Sequence, residues 1–172
     1  MSKIIKMRLS TKSIDKAIKE IKAYKDEVRL KTEQLVRALA SIGLTVVDSN
    51  KFAEGDTDAS NTNAYVEVEE RGTTAIAHLY LAGIGEDVAF IEFGAGVYYN
   101  GSAGSSPNPF GQKLGLTIGS YGQGHGKENS WYYRDANKIL RVSFGTKAAM
   151  PLAKADEAIR DQFFDVARAI FR

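Results

Sequence analysis

The chain has 172 residues, 26 % charged and 44 % hydrophobic, which fits one globular domain with its own core and excludes wholesale disorder or a fibrous repeat. Lys and Arg number 23 against 21 Asp and Glu, a formal +2, a small excess for a protein that works mainly through phosphate contacts. The absence of cysteine excludes a disulfide framework and thiolate chemistry, and no window, the opening MSKIIKMRLS included, approaches the ~20 apolar residues of a membrane span, so first use in a cytoplasm is expected.

Residues Lys3 to Leu9 alternate loosely between charged and apolar and read as a short strand or extended arm. From Ser13, a stripe of Ile14, Ile18, Ile21, Val28, Leu35, Leu39 and Ile42 recurs at helical spacing. Ser13 is the expected cap, Asp15 suits the positive end of the dipole, and Gly43 is the expected terminator. Lys25 and Thr32 interrupt the stripe, so a helix lying across a sheet fits better than a coiled coil. A further short helix and a solvated Asp/Ser/Thr/Asn loop are expected next.

Strands are expected at Ala64 to Glu69 and, after a turn at ERGT, at Thr74 to Leu81. Asp87 to Phe93 is apolar on both faces and reads as a central strand. Ten of the 16 glycines lie between Gly94 and Gly126, a composition of high chain entropy that nevertheless carries several large apolar groups. SWYYRD reads as a strand edge and Ile139 to Phe144 as a fourth strand. A closing helix begins at Pro151 and presents Leu152, Ala155, Ile159, Phe163, Val166 and Ile170 on one face. The expected fold is α+β, one domain over residues 1–172. An antiparallel sheet of about four strands is packed by a long N-terminal helix and a C-terminal helix, with a flexible Gly-rich loop or arm at 94–130.

Chemistry is poorly supported. A phosphate-cradling loop ends in Gly-Lys followed by Ser or Thr, with a glycine five residues before that lysine's glycine; here Gly126-Lys127 is flanked by Tyr121 and Glu128, and a carboxylate at the hydroxyl position repels phosphate. Gly94-Ala95-Gly96 lacks the third glycine and the following helix of a dinucleotide turn. His78 and His125 have no metal-ligand spacing, His78 reading as a packed strand histidine and His125 as solvent-exposed. Ser120 with His125 lacks an orienting aspartate. Glu92 with Glu128 or Asp135 imitates a glycosidase carboxylate pair, as chance pairs in any chain this size do. No enzyme, cofactor or metal is expected.

Interface chemistry has more behind it. Tyr98, Tyr99, Phe110, Tyr121, Trp131, Tyr132 and Tyr133, with Lys127, set aromatic groups beside glycine-rich backbone, the residue types that anchor protein contacts. The blander reading is that Trp131 and one tyrosine cover the sheet edge. An alternative is a nucleic-acid-binding loop that stacks bases on these aromatics; a hydrolase is a more distant one.

The phrases IEFGAGVYYN, GSYGQGHGKENSWYY and FGTKAAMPLAKADEAIRD, in this order and spacing, resemble the tail-component or tail-completion family of long-tailed bacteriophages and prophages, also described as head-tail connector, minor capsid or morphogenesis proteins. The resemblance rests on Glu92-Phe93-Gly94-Ala95-Gly96, Gly145-Thr146 and Ala149-Met150-Pro151, and with the charged first helix covers most of the chain. It implies a non-enzymatic virion protein, assembled in the bacterial host cytoplasm as a ring where head meets tail. Its implied partners are copies of itself and other head, connector or tail proteins, with DNA only as the passing genome and no membrane. The stretch NGSAGSSPNPFGQKLGLTIG is longer than expected for such a loop.

Overall fold

A computed structural model describes residues 4–6, 8–52, 62–72, 74–83, 87–94, 108–113, 126–127, 130–134, 137–143 and 146–172. The element order is α1 (Thr11–Asn50), β1 (Asn63–Arg71), β2 (Thr74–Ala82), α2 (Asp87–Phe93), α3 (Pro109–Lys113), β3 (Gly126–Lys127), β4 (Ser130–Arg134), β5 (Leu140–Ser143) and α4 (Pro151–Phe171). The architecture is mixed helix and sheet with long first and last helices. Most of the 94–130 segment, and the solvated loop expected after α1, lie outside the described residues.

The expected four-stranded sheet is corrected in two ways. β1 and β2 form a two-stranded antiparallel hairpin, while β3, β4 and β5 form a separate short ladder in that order. Residues Asp87–Phe93 are a helix, not a central strand. A short run apolar on both faces fits a buried helical turn as well as a buried strand, and what decides here is the chain around it. The Gly94 amide donates to the Phe90 carbonyl at 2.8 Å, an i to i−4 bond, and Gly94 has φ 79°, the left-handed conformation that ends helices. At the N-terminal edge, Ile4 and Leu9 are exposed and lie in no strand.

Helix α1 begins one turn earlier than its periodicity indicates. Ser10 is the N-cap, its Oγ accepting from the Ser13 amide at 3.4 Å, while Ser13 Oγ accepts from the Arg8 amide at 2.9 Å. With that start, Asp15 falls outside the first turn, which holds no acidic residue. Thr32, the polar break in the stripe, donates its hydroxyl to the Val28 carbonyl at 2.9 Å and so carries no unmet polarity into the seam.

Gly43 does not end the helix. It is buried inside α1, where an added Cβ would lie 2.8 Å from Ile159 Cδ1 and 3.0 Å from Leu79 Cδ2. Its role is close approach of three elements. The further short helix expected after it is the last two turns of α1, which finishes with Asn50 Nδ2 donating to the Val46 carbonyl at 2.8 Å and Asn50 Oδ1 accepting from Lys154 Nζ at 2.8 Å.

Gly43 against Ile159 and Asn50 against Lys154 make α1 and α4 antiparallel. Small side chains line this packing: Ala40, Val47 and Ala155 are buried. The hairpin lies against the same face of α1 through Leu79, with Ala64, Val66, Val68, Ala75, Ala77 and Leu81 more covered than the residues alternating with them, except Ile76. That alternation follows the period of two, and Gly72 at φ 64° makes the tight turn. Complete burial of Val47 and Ile91 contributes about 1.5–3 kcal/mol each.

Candidate functional site

The most constrained polar site is the junction of α2, α3 and α4, assembled from side chains distant in sequence. Helix α4 starts after Met150, which has φ 56° and no side-chain cap, leaving its first amides in need of an acceptor. Glu92 supplies it. One carboxylate oxygen, Oε2, accepts from the Leu152 amide at 2.9 Å, and Oε1 accepts from the Ala153 amide at 3.1 Å. A carboxylate at this end also complements the helix dipole.

Asn108 completes the arrangement and is itself fully buried. Its Nδ2 donates to Glu92 Oε1 at 2.6 Å and to the Glu92 carbonyl at 3.2 Å. Its Oδ1 accepts from the Phe110 amide at 2.8 Å and the Gly111 amide at 3.3 Å, capping α3. On the α2 side, the Ile91 carbonyl accepts from the Ala149 and Met150 amides at 2.8 and 3.3 Å. Gly94 fits against this turn so closely that a Cβ would lie 3.3 Å from Ala148 Cβ and from the Thr146 carbonyl oxygen.

This geometry gives Glu92 a structural role: with 5 % exposure, both its oxygens are engaged by the starts of α3 and α4. Its proposed carboxylate partners Glu128 and Asp135, like His125 and Ser120, lie outside the described residues. His78 is corrected from packed to exposed; it sits on the outer face of the hairpin, its ring 6.0 Å from that of Tyr80. Among the described residues no group of three His, Asp or Glu is placed to hold a metal ion.

Of the aromatic interface set, Phe110 is half exposed on α3 with Lys113 Nζ 5.4 Å from its ring centre. Lys127 pairs with Ser130 across the β3–β4 ladder. Trp131, Tyr132 and Tyr133 are in β4, paired with Ser143, Val142 and Arg141 of β5, so the expected strand edge there is an internal strand between β3 and β5. Tyr98, Tyr99 and Tyr121 lie outside the described residues.

Sequence reasoning placed Tyr65, Glu67 and Glu69 together on the outer face of β1 but missed that part of the α1 stripe is surface. Ile14, Ile18 and Ile21, the first members of the apolar stripe of α1, are 38, 45 and 55 % exposed. On the hairpin, Tyr65 and Tyr80 stack across the strands at 4.9 Å on the outer face, beside exposed Glu67 and Glu69. The available signal was length: forty helical residues span about 60 Å, twice the reach of a nine-residue strand at about 3.3 Å per residue.

Electrostatics on these surfaces are local. The Arg37 guanidinium, 2.7 Å from Glu33, holds the Glu33 carboxyl below its usual range. Partial desolvation, then the nearby Glu67 charge, pushes the Tyr80 hydroxyl upward. Comparison with protein-family models, curated proteins and solved structures gave no match to this chain.

Proposed function

We propose that this chain is a structural assembly protein of a long-tailed phage or prophage, a tail-completion or neck component at the head-tail joint that acts by oligomeric ring formation and protein contacts. The observation that carries the reading is the exposed apolar surface of the described residues. Ile14, Ile18, Ile21, Leu30, Phe163 and Phe164 are all large and exposed, on the two long helices α1 and α4, which pack on one another elsewhere along their length. Large apolar groups grouped on rigid elements are what a protein-protein interface requires.

Two further points support it. The phrases that carry the phage resemblance, around Glu92-Phe93-Gly94 and Ala149-Met150-Pro151, meet in one buried junction, so they act as one structural signature. The carboxylate best placed for chemistry is occupied as a helix cap. Among the described residues no helix is long and apolar enough to cross a membrane.

The test is inactivation of the encoding gene in a phage-producing lysate, read by electron microscopy. Separate filled heads and tails, rejoined when purified protein is added, are the expected result. Normal joined virions in its absence would end this reading.

A further inference from the structure

Residues 1–31 hold ten Lys and Arg against four Asp and Glu, while the rest of the chain holds 13 against 17. The small overall charge therefore conceals a basic end of +6 and a remainder of −4. The basic end includes the first half of α1, and the fold leaves that half extended. Arg29 forms an ion pair with Glu70 at 3.6 Å, which sets the hairpin turn level with Arg29. Counting back along α1 from Gly43 as far as α4 runs from Ile159 to Phe171 reaches the neighbourhood of Lys31. Residues before Arg29 thus reach past the end of α4 and past the hairpin; one side of this half is covered, with Ala17 buried and Glu20, Tyr24 and Val28 half-exposed, while Ile14, Ile18 and Ile21 beside it remain exposed.

The stripe that packs on α4 and β2 at Gly43 continues on the same side of the helix as Ile14, Ile18 and Ile21, now exposed. Next to it is an open, apolar-walled depression of ≈ 280 Å³ lined by Ile21, Tyr24, Lys25, Val28 and Arg29. Lys22 beside the stripe and Lys25 within it are exposed, and make no ion pair among the described residues.

The outer face of the hairpin has the complementary character. Its centre is the Tyr65–Tyr80 stack, a directly opposed cross-strand pair, and exposed Glu67 and Glu69 continue the face along β1, Glu69 also pairing with Arg71 at 2.8 Å on the protein's own surface. Because α1 lies against the inner face of its own hairpin at Leu79, its isoleucine stripe cannot reach its own outer face. Only a second molecule can bring the two together.

We propose that the first half of α1 docks on the outer face of the β1–β2 hairpin of another copy of this chain. Ile14, Ile18 and Ile21 cover the tyrosine stack, one tyrosine ring enters the depression at Val28, and Lys22 and Lys25 meet Glu67 and Glu69. Each copy offers one of each surface, so the contact is heterologous and propagates, closing into a ring where the rotation permits. The charge pairing sets orientation and makes assembly salt-sensitive. This interface gives a structural basis to the ring assembly proposed above and rests on that reading only for its biological setting.

Sedimentation of the purified full chain at low salt tests it without any phage component, so its outcome is separable from that of the virion experiment. Concentration-dependent association is expected, weakened at least tenfold by K22E/K25E and likewise by E67K/E69K, and restored when the two variants are mixed. As the chain has no cysteine, an I21C/Y80C variant provides a second measurement. Mild oxidation should give a ladder beyond dimer, whereas a D165C/Y80C control, which also carries two thiols per chain, should not. A monomer at every concentration with no ladder, or association indifferent to both charge reversals and their mixing, would overturn the proposal.

Discussion

The Glu92 carboxylate and the Leu152 amide, sixty positions apart in sequence, meet at 2.9 Å and tie the end of α2 to the start of α4. Hydrogen bonds to a buried charged group contribute more than neutral ones, about 1.5–3 kcal/mol. Removing the carboxylate leaves the Leu152 and Ala153 amides without their acceptor and Asn108 Nδ2 with only the longer bond to the Glu92 carbonyl. Glu92→Ala is expected to lower stability by about 2–4 kcal/mol, read as a fall in the urea midpoint at unchanged slope. A midpoint equal to wild type would remove the capping role.

Asn108 is coupled to the same carboxylate at 2.6 Å. Asn108→Ala should cost about 1–3 kcal/mol, and the double variant less than the sum of the two single ones, because residues sharing one network are not additive. Additivity within error in the four-member cycle would show that the two side chains act independently.

Two left-handed glycines separate backbone strain from crowding. Gly72 has φ 64° and open space within 4 Å of where a Cβ would stand, whereas Gly94 has φ 79° and a Cβ there would lie 3.3 Å from Ala148. Gly72→Ala should cost about 1–2 kcal/mol through conformation. Gly94→Ala adds the crowding of the junction and should cost more. Thermal melts that rank them the other way would contradict the packing described.

At Gly43 the competition is between helix propensity and space. Alanine gains about 1 kcal/mol in a helix interior, but its methyl would meet Ile159 Cδ1 and Leu79 Cδ2. These are ends of side chains that can shift slightly, so Gly43→Ala should change the melting temperature little. Gly43→Leu forces α1 away from α4 and β2 and should cost at least about 1–3 kcal/mol. A leucine variant as stable as wild type would mean the three elements do not pack as described.

Tyr80 gives a pH signature on the hairpin face. Its raised hydroxyl favours the folded state fully below the ordinary tyrosine value of about 10, and this contribution is lost as pH rises through the higher folded value. In a spectrophotometric titration against Tyr80→Phe, Tyr80 should ionise late, and Glu67→Gln should lower its midpoint only in part, since partial desolvation is the first cause. No movement in the Glu67 variant would discount the nearby charge.

The length and composition of the chain, the two amphipathic helices and the β-hairpin were determined by sequence, because their periods of 3.6 and 2 are local and their ends carry local signals such as Pro151 and Gly72. Tertiary structure decided the rest. Asp87–Phe93 became a helix because Gly94 terminates it and because Ile91 and Glu92 have partners in the turn before α4 and in its first amides, a match invisible within seven residues. Gly43 reads as a stop signal along the chain and acts as a contact point in space. The apolar stripe of α1 is one continuous pattern in the sequence, yet only tertiary packing determines which part of it is core and which is left as surface.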